Sequence, residues 1–287
     1  MKQIKCVNLL MVIVVISGLL VGCGNENKNV ISKVNENSYT QTKTNDFTNY
    51  EKYFVFDENS ILLLMDDYKD SKKIVIPKKC KRIEAMTFTN NESLEDVSFE
   101  SNDNVDGNKW DFWGCKNLKK AKLPDEQIKI NDYMFCECEK LSSFIMPKAT
   151  ETIGEYAFSE CNSLKEIEIG ESVKTIGKWA FRYDENLESV TFNNNLEVID
   201  EWAFENCKSL KEIKLNEGVK RIEAMAFTNC DSLTDIYLPE SIEYINGTAF
   251  AQLSPHKATV YVKQGSYAEK SFDDDWGDDG LYEKEYY

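Results

Sequence analysis

Apolar residues along this chain recur with a period far longer than that of a helix or a strand. Phe88, Phe112, Phe135, Phe158, Phe181, Phe204, Phe227 and Phe250 are separated by 24 residues once and by 23 thereafter. Leucines keep the same register six residues on, at Leu94, Leu118, Leu141, Leu164, Leu187, Leu210 and Leu233. Isoleucines sit five residues before most of the phenylalanines, as at Ile83, Ile153, Ile176 and Ile222. Polar residues fill the gaps, so one unit cannot bury its own apolar side chains and neighbouring coils must stack to share a core. The pattern predicts a repeat solenoid. Within each unit Leu-x-x-Ile-x-Ile, as from Leu164 to Ile169, alternates with the period of two that marks a half-buried strand. These strands are expected to stack in parallel as one ribbon. The opposite limb, as from Val173 to Phe181, is expected to combine a short extended piece with a turn or short helix.

The units have a recognisable wording. Ile153-Gly-Glu-Tyr-Ala-Phe158-Ser-Glu-Cys161-Asn-Ser-Leu164-Lys-Glu-Ile167 resembles, position by position, the unit of the bacterial BspA-like leucine-rich-repeat proteins, and the resemblance covers about residues 75 to 262. It implies a leucine-rich-repeat array with a parallel strand ribbon on one face, mostly β, with short turns or helices on the other. Tyr53 to Pro77 looks like the hairpin that caps such arrays, and Val260 to Glu269 looks like their usual end. Caps are a physical requirement, because an open end exposes core and unpaired strand groups. One unit departs from the pattern. Between Phe99 and Phe112 the chain has one residue too many and Gly107 where the isoleucine belongs, which predicts a bulging loop.

The N-terminus carries an address. Lys2 and Lys5 precede an apolar run from Leu9 to Val21, shorter than the ~20 residues a spanning helix needs, so it reads as a signal peptide. Leu20-Val21-Gly22-Cys23 resembles the lipobox of bacterial lipoproteins, which implies cleavage before Cys23 and lipid on its thiol. Losing the positive charges of Lys2 and Lys5 takes the formal net charge from −16 to −18. Residues 24–47 are too polar to bury enough surface to order themselves. As a tether they would reach roughly 80 Å extended, and nearer 30 Å as a coil. The expected organisation is therefore a signal peptide at 1–22, a tether from lipidated Cys23 to 47 and a cap hairpin at 48–77. Repeats follow at 78–257, then a C-terminal cap at 258–272 and an acidic tail at 273–287. This places the protein outside the cytoplasm, on the cell surface, and touching the membrane through its lipid anchor only.

Charge and composition narrow the function. The acidic balance, 34 Lys plus Arg against 50 Asp plus Glu, repels phosphate backbones, so nucleic acid is not an expected partner. The single histidine, His256, rules out chemistry built on a His pair, and no catalytic residue, cofactor or metal is expected. Asn102-x-Asn104-x-Asp106-Gly107 has the opening of a calcium loop, but its twelfth position is Trp113 where a bidentate glutamate should close the cage. Cys115, Cys138, Cys161, Cys207 and Cys230 all fall three residues after a repeat phenylalanine and should form an interior column that Asp184 interrupts. Rungs ~4.8 Å apart put disulfides within reach in principle, but cysteines pointing in parallel into a packed core are ordinarily small buried hydrophobes.

Two surfaces remain as candidate binding sites. If the strands line the concave face, their outward positions present Lys122, Glu168, Thr191, Lys214 and Tyr237, a mixed surface suited to a protein ligand, with Tyr237 as its anchor. Two residues before successive phenylalanines run Trp110, Tyr133, Tyr156, Trp179 and Trp202, flanked by Met86 and Met225. Such a column is either a ligand platform, for glycans among others, or packing that seals the limb. The resulting expectation is a lipid-anchored surface protein that binds an extracellular or envelope protein, with adhesion as the role the resemblance implies. The alternative is a structural or accessory envelope lipoprotein that contacts cell-wall glycans or another envelope protein through the aromatic column.

Overall fold

The computed structural model describes residues 54–56, 61–64, 70–83, 85–105, 110–253, 258–276 and 282–287. The predicted signal peptide, Cys23, the tether, Gly107 and His256 lie outside these residues.

The 23-residue period becomes one coil of a solenoid, and each coil is tied to the next along three lines. The first is the predicted ribbon of outward-alternating strands. Glu166–Glu168 pairs in parallel with Ser189–Thr191, and Glu212–Lys214 with Asp235–Tyr237, each with its middle residue buried and its flanks turned outward. The second line is on the opposite limb, where the isoleucine positions build a ribbon of their own. Lys129–Ile130, Thr152–Ile153, Thr175–Ile176, Val198–Ile199, Arg221–Ile222 and Tyr244–Ile245 form a six-stranded parallel sheet, two residues wide. Turns, not helices, complete that limb from Gly154 to Glu160 and at its equivalents.

The third line was not visible in the pattern. Residues two before and two after most of the phenylalanines have positive φ although they are not glycine, as at Tyr156 (53°) and Glu160 (64°), or Trp179 (55°) and Tyr183 (61°). A left-handed conformation costs such residues about 1–2 kcal/mol each. What offsets it is a hydrogen-bond ladder, because the alternation turns three N–H groups of each coil toward the next. The amides of Tyr156, Phe158 and Glu160 donate to the carbonyls of Lys178, Ala180 and Arg182 at 3.0, 2.7 and 2.9 Å. The coil from Trp202 to Asn206 repeats the arrangement on Ala224, Ala226 and Thr228. Backbone groups that a turn would leave to solvent are thereby satisfied inside the array.

The core lies within the three lines. The eight phenylalanines stack face to face in one file with centroids 5.0 to 5.5 Å apart. Each is buried, which contributes about 1.5–3 kcal/mol per side chain from removal of apolar surface from water. Cys115, Cys138, Cys161, Cys207 and Cys230 are free thiols in a parallel file, and each Sγ donates to the carbonyl of a phenylalanine 26 or 27 residues earlier, as Cys161 does to Phe135 at 3.2 Å.

Both ends differ from expectation. The antiparallel hairpin is made by Phe54–Phe56 and Ile61–Leu64, while Lys73–Ile76, assigned to the cap, is already a rung of the main ribbon and pairs with Asp96–Phe99. At the other end the acidic tail is not a tail. Ala258–Val262 is a rung, the helix Tyr267–Ser271 follows with Ser266 as its N-cap, and a π-helical turn spans Phe272–Trp276. Tyr282–Tyr286 then returns as the last parallel strand. The reason lies in three tyrosines and a lysine hidden among the carboxylates. Tyr282 is buried with its hydroxyl on the Phe250 carbonyl at 2.5 Å, and Tyr287 donates to Leu238 at 2.9 Å. Tyr286 donates to Glu269 at 2.5 Å, and Lys284 reaches Asp273 at 2.6 Å.

Candidate functional site

The predicted residues of the main ribbon do share one surface. Register places Glu168 beside Thr191 and Lys214 beside Tyr237, and Tyr237 beside Tyr261 of the final coils. Lys122 lies three rungs before Thr191, separated from it by Ile145 and Glu168. Thr191 and Lys214 line a shallow groove of about 540 Å³ together with Ser189, Glu212 and Asn216. Tyr237 lies one rung further on, beside Lys214. Its ring stacks on Tyr261 with centroids 4.2 Å apart and planes within 4°, the edge of Tyr287 approaches at 6.4 Å, and the Lys214 ammonium lies 5.7 Å from its centroid. Tyr261, missed by the sequence reading because it follows the last complete unit, donates to Asp235 at 3.2 Å. Desolvation, with Tyr237 and Asp235 alongside, pushes its phenol up to about 12, so it stays a neutral donor at physiological pH.

Charge is organised differently here from elsewhere. On the limbs, several carboxylates meet a lysine or arginine one coil away. Glu151 reaches Lys174 at 3.0 Å, Glu197 reaches Lys220 at 3.4 Å, Glu185 reaches Lys208 at 2.7 Å, and Glu205 pairs with Arg182. On the ribbon, Glu166, Glu168 and Glu212 stand exposed without such a partner among the described residues. Ile145, in the same outward file, is 82% exposed. A mixed surface of uncompensated charge, one large apolar side chain and a preformed tyrosine pair has the components of a protein-binding patch.

The second candidate surface is rearranged. Trp110 does not belong to the aromatic column: it is fully buried, packing against Phe99 at 5.6 Å and edge-on to Phe112 at 5.8 Å. The insertion explains this, since the irregular unit has no isoleucine to fill its coil and the indole occupies that space. Trp113 takes its place beside Tyr133 at 6.4 Å. From there Tyr133 stacks on Tyr156 at 4.9 Å and Tyr156 on Trp179 at 4.8 Å, both with planes 17° apart, while Trp202 and Met225 keep the same left-handed backbone position. In this run Tyr156 has a ring stacked on each face, and Tyr133 and Trp179 each stack one face on it. Ring-on-ring packing of this kind helps seal the limb, each stacked pair adding about 0.5–1.5 kcal/mol.

The buried thiols among the described residues are not activated. Desolvation raises the thiols of Cys138, Cys161 and Cys207 well above their usual range, and pushes Cys115 up to about 12 and Cys80 up to about 11, so the nucleophilic thiolate is disfavoured at each. No group of three or more His, Cys, Asp or Glu among the described residues is placed to hold a metal ion, and no helix among them is long and apolar enough to cross a membrane.

The BspA type leucine rich repeat region matches six copies in this chain, over residues 67–188 and 151–273. The chain belongs to that family. The BspA-type array is also similar to solved leucine-rich-repeat structures. That of the T. pallidum leucine-rich-repeat protein TpLRR is 25% identical, with a TM-score of 0.55, covering 63% of this chain and 88% of that one. A protein from Bacteroides ovatus is 19% identical, with a TM-score of 0.51 over 74% of this chain and 63% of its own. One from Eubacterium ventriosum is 23% identical, with a TM-score of 0.51 over 65% and 60%. The chain thus spans less than two thirds of the latter two, and these two likenesses concern the fold. No curated protein matches the sequence. Leucine-rich-repeat arrays are in general interaction scaffolds or surface proteins, typically without enzymatic activity, and their extended ribbons are the surfaces they use.

Proposed function

We propose that this BspA-type protein is a lipid-anchored cell-surface protein that binds an extracellular or envelope protein through its main ribbon, in an adhesive role. The observation that carries this is the layout of the ribbon: Glu166, Glu168 and Glu212 stand unpaired beside the groove and the Tyr237–Tyr261 pair, whereas limb carboxylates such as Glu151 and Glu197 meet a lysine one coil away. Anchoring is supported by Leu20-Val21-Gly22-Cys23 after the short apolar run, and a polar tether would hold the array off the membrane. The experiment is capture of the purified chain on an array of extracellular-matrix proteins, serum proteins and cell-wall glycans. Protein capture lost in Tyr237→Ala and kept in Trp179→Ala is the expected result. Glycan capture lost in Trp179→Ala would overturn it in favour of an accessory lipoprotein working through the aromatic column. Incorporation of a labelled fatty acid, abolished by Cys23→Ser, checks the anchor.

A further inference from the structure

The main ribbon is electrically divided. Along its outward positions the early rungs present Lys73, Lys120 and Lys122 against Asp96, and Lys73 already holds Asp96 at 3.6 Å. From Glu166 onward the balance inverts. Among the described strand positions Glu166, Glu168, Glu212, Asp235 and Glu285 face outward with Lys214 as the cation in their file, while Lys211 at the groove edge is paired with Glu188. The exposed Ile145 marks the boundary between the halves, and the Tyr237–Tyr261 pair lies within the acidic one. Elsewhere on the array Glu151, Glu185, Glu197 and Glu240 each meet a lysine one coil away, and among the described residues no such lysine pairs with Glu166, Glu168 or Glu212.

Resting on the ribbon-binding reading above, we propose that the later half of the ribbon receives an extended, arginine- or lysine-rich segment of a protein partner, whose cations meet Glu166, Glu168 and Glu212 and whose end reaches the tyrosine pair and Asp235. The dimensions suit such an occupant. Six rungs, from Glu166–Glu168 to Tyr282–Tyr286, span about 24 Å at ~4.8 Å per step, the length of about seven extended residues. Complementarity also sets direction along the ribbon: the early lysine rungs repel a basic segment and confine it to the later coils, with an apolar residue of the partner against Ile145. Unpaired carboxylates on a face shared with aromatic rings further favour guanidinium, which bonds a carboxylate through its fork and stacks on a ring with its plane.

The test uses labelled decaarginine and decaglutamate peptides titrated onto the purified chain by fluorescence anisotropy at about 0.15 M salt. Decaarginine binding is expected to weaken about tenfold or more in the triple variant Glu166→Gln, Glu168→Gln, Glu212→Gln. It is expected to change less than about twofold in the limb triple Glu151→Gln, Glu197→Gln, Glu240→Gln, which removes the same charge. Thermal melting verifies that both variants are folded. Equal losses in the two triples would reduce the effect to net charge and overturn the proposal, as would absence of decaarginine binding or tighter binding of decaglutamate. Array capture that depends on Tyr237 but is not displaced by decaarginine overturns the basic segment and leaves ribbon binding standing. Capture indifferent to Tyr237 overturns both.

Discussion

The coils from Phe158 to Phe250 and those from Phe88 to Phe158 are built on the same register but not to the same regularity. In the later coils the phenylalanine rings stack with planes 1° to 4° apart; in the earlier ones the planes tilt by 12° to 19°. Centroid spacing is nearly the same in both. The earlier coils contain the inserted residue, Trp110 in place of the isoleucine, and Phe144 at a strand position where a later unit has Ile167. Phe144 packs against both Phe135 and Phe158 at about 5 Å, so an extra ring enters the file there. The comparison teaches that the period sets spacing, while tilt accompanies the irregular unit and a ring, Phe144, that wedges against two phenylalanines of the file where Phe192 of the later coils touches Phe204 alone. A solenoid tolerates an irregular unit when something of the right size fills the gap, and here the indole of Trp110 does so while leaving its Nε1 without an acceptor.

The sharpest way to break this comparison is to truncate one ring from each region. Phe181→Ala in the regular coils and Trp110→Ala in the irregular one are each expected to cost about 3–5 kcal/mol, read from urea midpoints at constant m-value. A loss under about 1 kcal/mol for Trp110→Ala would mean that the irregular unit is loosely packed and that its tilt reflects slack.

A smaller effect belongs to Asp184, the interruption in the cysteine file. Its carboxyl is buried, accepts the Cys161 amide at 2.7 Å through one oxygen, and leaves the other unsatisfied. Desolvation raises its pKa well above the usual aspartate range, so the folded chain keeps it neutral where the unfolded chain ionises near pH 3.9. Its contribution is therefore complete below about pH 3.9 and is lost as pH rises through the folded value. Asp184→Asn, with no charge to bury, is expected to gain about 1–3 kcal/mol over the native chain at pH 7 and little or nothing at pH 4. Equal differences at the two pH values would show that the carboxyl is not kept neutral by the fold.

The smallest expected change tests the limbs. Lys174→Ala breaks an exposed pair with Glu151 and should alter stability by less than about 0.5 kcal/mol in the same titration, since such pairs are screened by solvent. A loss several times larger would mean that inter-coil ion pairs, and not the core files, hold neighbouring coils in register.

Much of the architecture was legible because it repeats. A residue type returning every 23 positions announces its own burial, so Phe158, Leu164, Ile176 and Cys207 could be assigned to the interior, and Glu168, Thr191 and Lys214 to an outward file, without coordinates. Trp110 was misread by the same logic, since counting back two from Phe112 places it in the aromatic column only if the coil before it is complete. The strand Tyr282–Tyr286 was hidden for the opposite reason: it occurs once, and its tyrosines sit among Asp and Glu residues that by composition suggest a solvated tail. Tyr261 escaped notice because it pairs with Tyr237 across a coil boundary 24 residues long.

By itself the sequence determined the periodic quantities of this protein: the coil length, the identity of the core files and the alternation of each strand, because hydrophobic burial acts on residue type and spacing alone. Tertiary structure decided the rest. The left-handed residues at Tyr156 and Glu160 are tolerated only because the next coil offers carbonyls to their amides, and Trp110 turns inward only because its unit lacks the isoleucine that fills the other coils. Glu166, Glu168 and Glu212 remain unpaired only because stacking places no lysine beside them. Each of these depends on what the adjacent coil presents, and that juxtaposition exists only once the chain has wound upon itself.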